Sequence, residues 1–280
     1  MKEQYRTINF QKKNLFLLEK IGEILEEYSM KGIKVTLRQL YYQLVARDII
    51  PNKVSEYRKL STLLTDARYN GKIDWDAIED RTRIPKIPNT FIDIQDLLRT
   101  ASRSYQLDRW EEQNYYVELW TEKDAISSVI SPITTKYQVP VVVCRGYASA
   151  SAMYESAQRF DSEKTKIILY LGDHDPSGLD MDRDIQERLN EFGADVKVIR
   201  IGLTQEQIKK YNPPTNPAKI TDPRAREYIF NYGNTSWEVD ALRPEVLQKL
   251  IEESILKYLD LKKYEQVQQK EREDIKEMIP

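Results

Sequence analysis

The stretch that most constrains the fold of this chain is residues 167–178, which read I-I-L-Y-L-G-D-H-D-P-S-G. Its apolar start predicts a buried strand, and Asp173 and Asp175 follow directly at the carboxyl end of that strand. Ligands of open α/β sheets bind at the carboxyl ends of strands. Two carboxylates one residue apart repel each other unless a cation lies between them, and such oxygen ligands suit Mg²⁺. A plain strand-to-helix turn, with Ser177 capping the next helix, is the alternative interpretation.

The chain from Tyr115 onward alternates between strand and helix patterns, which predicts a parallel sheet with helices on both faces. The fold class is therefore α/β, followed by a helical C-terminal extension. The predicted strands are residues 115–121, 139–143, 166–172 and 196–201, and the predicted helices are residues 124–137, 148–160, 179–192, 204–210, 225–232, 244–259 and 262–278, with a proline-rich loop at 211–223.

The N-terminal part has a different pattern, typical of a winged helix-turn-helix. Helices are predicted over residues 10–30, 37–48 and 55–69, and the Asn70-Gly71 turn introduces a small β wing over residues 72–83. The last of these helices would enter the DNA major groove, and the residues predicted to contact DNA there are Arg58, Lys59 and Arg68. A helical protein–protein module is the alternative.

Prolines at positions 85 and 88 mark a linker over residues 84–89. The predicted organisation is a winged-helix domain over residues 1–84, a linker and bridging helix over 85–114, and the α/β domain with its extension over 115–280.

The composition of the chain excludes several kinds of metal site and bears on the location of the protein. The only cysteine is Cys144 and the only histidine is His174, which excludes an internal disulfide, a cysteine-based zinc site and histidine-rich metal sites. No apolar run is long enough to span a membrane, so we expect a cytoplasmic protein without a membrane partner. Residues 1–110 carry 20 Lys and Arg against 15 Asp and Glu, whereas residues 111–280 carry 23 against 30. This asymmetry fits a DNA-binding module joined to a metal-binding one, and equally an uneven solvated surface.

A third acidic residue, Glu122, follows the first strand of the α/β part. Neighbouring parallel strands lie about 5 Å apart, so Glu122, Asp173 and Asp175 are predicted to converge on one divalent cation. Glu118 is the rival, but it lies in the middle of the strand and would point into the packing layers. Glu238 and Asp240 form either a second acidic site or a polar turn.

These residues resemble a Toprim domain over about residues 115–201. The resemblance consists of T-E-K-D-A around Glu122, Arg145-Gly146-Tyr147 after the second strand, and Asp-x-Asp-Pro-x-Gly at 173–178. It implies that Glu122, Asp173 and Asp175 bind Mg²⁺ and that Arg145 lines a DNA channel.

The N-terminal part contains the motif T-L-R-Q-L-Y-Y at residues 36–42. This motif resembles that of the topoisomerase VI A subunit, and the chain is particularly similar to the reduced Mini-A versions found in mobile elements. The resemblance implies that Tyr42 is the nucleophile and Arg38 its partner. The two residues are four apart and share a helix face, so a guanidinium would favour the phenolate of a phenol whose ordinary pKa is near 10.

The same resemblance implies a mechanism and partners. Tyr42 would attack double-stranded DNA and form a 5′-phosphotyrosyl bond, in a homodimer where the tyrosine of one subunit works with the metal site of the other. No phosphate-binding glycine-rich loop occurs, so any ATPase would be a separate subunit. The alternatives are a Toprim nuclease that hydrolyses DNA with water, and a non-catalytic DNA-binding protein of a mobile element.

Overall fold

A four-stranded parallel sheet lies at the centre of the computed structural model, which describes residues 2–79, 88–160 and 163–278. The strands are β1 (Tyr115–Thr121), β2 (Val141–Val143), β3 (Thr165–Leu171) and β4 (Val196–Gly202), in the order β2-β1-β3-β4. Every pairing is parallel. The predicted α/β class is confirmed, and the strand boundaries lie within two residues of those predicted.

The helices also follow the sequence periodicity. They are α1 (Lys12–Met30), α2 (Leu37–Ala46), α3 (Val54–Tyr69), α4 (Ile94–Ser104), α5 (Ser127–Lys136), α6 (Ala150–Arg159), α7 (Gly178–Glu191), α8 (Gln205–Tyr211), α9 (Ala225–Tyr232), α10 (Pro244–Leu256) and α11 (Leu261–Met278). No helix in the described ranges is both long enough and apolar enough to cross a membrane.

Alternating side chains of the strands divide the core into two layers. Leu119 of β1 belongs to the larger cluster, which contains α5 and α10 as well as the inner faces of α1, α2 and α3. Trp120, its neighbour in sequence, belongs to the other cluster with α6 and α7. Helices therefore cover both faces of the sheet, and the three N-terminal helices share a core with one of those faces.

The N-terminal part confirms the three predicted helices but not the predicted wing. Over Lys72–Glu79 the chain forms one 3-10 turn, Trp75–Ala77, and a single parallel bridge between Val35 and Ile78. The remainder of the predicted wing and most of the predicted linker fall in residues 80–87, outside the described part of the chain.

A small antiparallel ribbon, missed by the sequence analysis, follows the sheet. It pairs β5 (Thr215–Pro217) with β6 (Thr235–Trp237), although residues 211–223 were predicted to be a loop. Trp237 also forms an antiparallel bridge with His174, directly after β3. This bridge holds residues 238–240 beside the carboxyl end of the sheet, where the candidate site lies.

Candidate active site

The strand register brings the acidic residues to one edge of the sheet. Thr121 pairs with Leu171 across β1 and β3, so both strands end level with each other. The backbone N–H of Glu122 continues this pairing by donating to the carbonyl oxygen of Leu171 at 3.2 Å. Glu122 and the Asp173 turn therefore lie at the same edge, as the sequence predicted.

Asp175 has a structural role in the turn that starts α7. Its Oδ1 accepts hydrogen bonds from the backbone N–H of Gly178 at 2.6 Å and from the Ser177 hydroxyl at 3.0 Å. Asp175 rather than Ser177 therefore caps the helix. A Cβ at Gly178 would collide with the carbonyl oxygen of Asp173, so the turn requires glycine here. Oδ2 of Asp175 lies 3.9 Å from the ammonium of Lys219.

A lysine that the sequence analysis did not select occupies the middle of the site. The Nζ of Lys123 lies 2.8 Å from Asp173, 2.7 Å from Glu238 and 3.0 Å from Asp240, in each case from one carboxylate oxygen. Burial opposes the charge of Lys123, but the Asp240 and Asp173 carboxylates outweigh it and hold the lysine pKa above its ordinary value. The Lys123 ammonium is therefore charged, largely shielded from solvent and surrounded by three carboxylates.

Arg38 connects helix α2 to the same acidic residues. Its Nε donates to Asp240 at 2.6 Å, and its other end contacts Glu238. The side chain of Asp240 is fully buried, which disfavours its charge, but Lys123 and Arg38 together lower its pKa. Glu238 and Asp240 lie at a 3-10 turn, Val239–Ala241, that precedes α10, and both carboxylates are paired with Arg38 and Lys123.

Tyr42 lies next to Arg38, as their spacing on α2 predicted, with the guanidinium 5.6 Å from the centre of the phenol ring. The Tyr42 hydroxyl is 3.4 Å from the side-chain nitrogen of Asn216, which also donates to Glu238 at 3.2 Å. Burial and the Asp240 carboxylate raise the pKa of Tyr42, and the opposing influence of Arg38 is the smaller one. In this arrangement the phenol is held neutral, contrary to the expected phenolate.

The ligand chemistry of the site fits a divalent cation, although the geometry is not preformed. No three His, Cys, Asp or Glu side chains in the described ranges are grouped so that they could hold a metal ion as they stand. However, Oε2 of Glu122 is buried without a hydrogen-bond partner. Burial, together with the charges of Asp173 and Asp175, raises the pKa of Glu122 to about 7. A cation near these three carboxylates would relieve both the unpaired oxygen and the repulsion.

The residues predicted to bind DNA are spread over two regions. Arg58 and Lys59 are exposed on α3, where Lys59 pairs with Glu56 at 2.7 Å. Arg68 is engaged within the fold, since it donates to the carbonyl oxygen of Trp75 at 2.6 Å and stacks on its ring. Arg145 is exposed at the end of β2, on the same sheet edge as the acidic residues.

Glu118 and His174 both make hydrogen bonds inside the fold, away from the acidic cluster. Glu118 is fully buried, and its carboxylate accepts hydrogen bonds from the side chains of Tyr116, Trp120 and Arg159. His174 is buried beneath α9, and its Nδ1 is 2.9 Å from the hydroxyl of Tyr228. The His174 ring is therefore packed inside the turn rather than exposed to solvent.

The residues of the candidate site that the sequence analysis did not select are Lys123 and Asn216. Lys123 is adjacent to Glu122, but two of its three carboxylate contacts are with residues more than 100 positions away. Asn216 lies on the ribbon, which had no recognisable strand pattern. Comparison with protein families and with curated proteins found no match to this chain.

Proposed function

We propose that this chain is a Mg²⁺-dependent DNA-cleaving enzyme that resembles the topoisomerase VI A subunit and uses Tyr42 as its nucleophile. The winged-helix and Toprim assignments are part of this proposal. They are supported by the order of the elements, with three helices followed by a parallel sheet whose strand ends are acidic.

One observation carries the proposal. Arg38 and Tyr42, which were selected from a motif in the N-terminal part, lie against Glu238 and Asp240, and Lys123 joins those two carboxylates to Asp173, which was selected from the α/β part. The contacts that join them are the Arg38–Asp240 ion pair and the chain from Tyr42 through Asn216 to Glu238. The separation in sequence is about 200 residues, so no local packing rule requires these groups to meet.

Each group has a chemical role in this proposal. Glu122, Asp173 and Asp175 would hold Mg²⁺, which would neutralise charge on the scissile phosphate and the leaving 3′-oxygen. The Tyr42 oxygen attacks phosphorus and forms the phosphotyrosyl bond while the phosphorus–3′-oxygen bond breaks. Arg38 contacts the phosphate and favours the phenolate, which requires the guanidinium to give up part of its present pairing with Asp240.

The position of Tyr42 bears on the expected subunit arrangement. The family resemblance implies that the tyrosine acts on the metal site of the other subunit. In the present arrangement Tyr42 is connected through Asn216 to Glu238 of its own chain, and Lys123 joins Glu238 to Asp173. We therefore propose that the nucleophile and the metal-binding residues act in cis, whether or not the protein is a homodimer.

A second candidate function follows from the pKa of Tyr42. Because burial keeps the phenol neutral, a water molecule is the alternative nucleophile, and the protein would then be a Toprim-like nuclease with Tyr42 in a structural role.

The experiment that separates these functions is a covalent-adduct assay. Supercoiled DNA is incubated with the protein and Mg²⁺, stopped with detergent, and analysed with and without protease. We expect protein-linked DNA ends that disappear in Tyr42→Phe and Asp173→Asn. Tyr41→Phe is the matched control, because Tyr41 is the adjacent residue of α2 but its hydroxyl bonds to Asn52. Free ends that persist in Tyr42→Phe would indicate the nuclease, and the absence of any cleavage would contradict both functions for the isolated chain.

A further inference from the structure

The side chain of Asn216 lies between the ribbon and helix α2. Asn216 is the middle residue of β5, and its pairing with Ser236 of β6 holds its backbone in place. The side chain is half-buried, and its Nδ2 is 3.4 Å from the hydroxyl oxygen of Tyr42 and 3.2 Å from Oε1 of Glu238. A single amide group therefore contacts both the tyrosine and a carboxylate of the site.

The neighbours of this amide fix which way it points. A carboxylate that lies between two cations, as Glu238 does, accepts hydrogen bonds and does not donate them, so the NH₂ group of Asn216 has to face it. On its other side, Oδ1 of Asn216 accepts from Nδ2 of Asn52 at 2.9 Å. Asn52 cannot turn over either, because the same nitrogen donates at 2.6 Å to the backbone carbonyl of Thr215, which can only accept. Both amides are therefore held in one orientation.

This orientation decides how the Tyr42 hydroxyl is used. A hydroxyl can donate or accept, but the group that faces it here is an NH₂, so the tyrosine oxygen accepts. Such a hydrogen bond lowers the pKa of Tyr42, as do the charges of Arg38 and Lys123, whereas burial and the Asp240 carboxylate raise it. The contact is long, but an oxygen that gains negative charge attracts an N–H donor more strongly, so it should shorten as the phenolate forms.

The adjacent tyrosine has the opposite arrangement. Tyr41 donates its hydroxyl proton towards Oδ1 of Asn52 at 2.9 Å and the backbone carbonyl of Lys53 at 3.2 Å. Oxygens that hold this proton would repel a phenolate at the same place. The described residues provide no such acceptor for the proton of Tyr42. The two tyrosines of the motif therefore differ in what surrounds their oxygens.

We propose that Asn216 is the positioning residue of the nucleophile, because its fixed amide makes the Tyr42 oxygen a hydrogen-bond acceptor and selects Tyr42 rather than Tyr41 for attack. The attack itself rests on the proposed function. In it the bond from the Tyr42 oxygen to phosphorus forms and the bond from phosphorus to the 3′-oxygen breaks. The phenol proton passes to water, and the 3′-oxygen takes up a proton from water.

The test measures the ionisation of Tyr42 without DNA or metal. A ring-fluorinated tyrosine at position 42, whose phenol titrates near neutral pH, is followed by fluorine nuclear magnetic resonance. Asn216→Ala removes the donor without adding charge. Asn216→Asp keeps the shape and the acceptor for Asn52 but cannot donate to Tyr42. We expect the midpoint to rise by about half a pH unit or more in Asn216→Ala, and further in Asn216→Asp, which adds a negative charge.

The matched control is Asn234→Ala, because Asn234 is exposed directly before β6 and the ribbon uses its backbone carbonyl. Its midpoint should equal that of the fluorinated wild type. An unchanged or lowered midpoint in Asn216→Ala would overturn the proposal, since Asn216 would then not donate to the tyrosine. Circular dichroism shows whether each variant is folded, and Asn216→Asp gives the result if Asn216→Ala is not.

A second measurement connects the amide to the reaction. In the covalent-adduct assay, Asn216→Ala with an ordinary Tyr42 should form the adduct about three- to tenfold more slowly, in proportion to the smaller phenolate fraction. Its affinity for DNA without Mg²⁺ should not change. If the midpoint rises in Asn216→Ala but the wild type forms no adduct, the action of Asn216 on Tyr42 is as proposed and the proposed function is wrong.

Discussion

Replacement of Glu122 by Gln should stabilise the metal-free protein at alkaline pH. The pKa of Glu122 is raised from its ordinary value of 4.5 to about 7, first by burial and then by the charges of Asp173 and Asp175. The folded protein therefore binds a proton at Glu122 that the unfolded chain has lost. The stabilisation from this group is complete below pH 4.5 and is lost as the pH rises through 7.

The size of the effect follows from the pKa. A shift of this extent corresponds to about 3 kcal/mol for a fully buried group. Glu122 is partly accessible, and solvent screening reduces the expected value to about 1–2 kcal/mol. Glu122→Gln has no such charge, so in a chelator at pH 8 it should be more stable than the wild type by about that amount, with little difference at pH 4.5.

The assay is urea unfolding followed by circular dichroism at both pH values, with and without Mg²⁺. Magnesium at ten times its dissociation constant should stabilise the wild type by about 1.4 kcal/mol and the variant hardly at all. Glu118→Gln is the matched control on the same strand. It should lose about 1–3 kcal/mol at both pH values, because Glu118 accepts hydrogen bonds from buried partners, and should keep its response to Mg²⁺. A Glu122→Gln variant that is less stable than the wild type at pH 8 without metal would refute the reasoning.

Three further predictions concern His174, Cys144 and the subunit arrangement of the site. Burial lowers the pKa of His174 from 6.5 to about 4, so this group stabilises the fold fully above pH 6.5 and ceases to do so as the pH falls through 4. The single imidazole signal in nuclear magnetic resonance should titrate near 4, and a midpoint near 6.5 would contradict the buried position. Burial raises the pKa of the Cys144 thiol to about 12, so a thiol reagent at pH 8 should react with it at least about tenfold more slowly than with the unfolded chain. If the active site is in cis, mixing Tyr42→Phe with Asp173→Asn should restore no adduct formation. Recovery of about a quarter of the wild-type activity would indicate a site in trans, because half of the dimers are then mixed and each has one intact site.

The sheet could be predicted from the sequence because strand patterning is local. The run from Ile167 to Leu171 is apolar on both faces, as a central parallel strand covered by helices on both sides must be. Its neighbour β1 ends level with it, so the meeting of Glu122 with the Asp173 turn followed from topology alone. Among the strands, the main departure in boundaries was β2, which begins at Val141 because only three of its residues pair with β1.

The cations of the site could not be predicted in the same way. Arg38 and Asp240 are about 200 positions apart, and their ion pair depends on the ribbon that bridges to His174. Each strand of that ribbon has three residues, and one of them ends in a proline, so periodicity gave no signal for it. Lys123 follows a selected glutamate, yet a lysine after a strand is ordinarily exposed to solvent. Its contacts with Glu238 and Asp240 became visible only in the structure.

The pairing of Arg38 with Asp240 also changes how the N-terminal motif is interpreted. A guanidinium free to act on Tyr42 would lower the pKa of the phenol, but here it is shared with two carboxylates, and one of them raises the tyrosine pKa. In this structure Arg38 therefore neutralises Glu238 and Asp240, and the pKa of Tyr42 stays raised. A DNA phosphate that enters the site would attract Arg38 away from the carboxylates. Arg38 would then lower the pKa of Tyr42 and favour the phenolate. Activation of the nucleophile would then depend on substrate binding, and the buried pair of Asp240 with Lys123 would keep the acidic residue compensated while Arg38 changes partner.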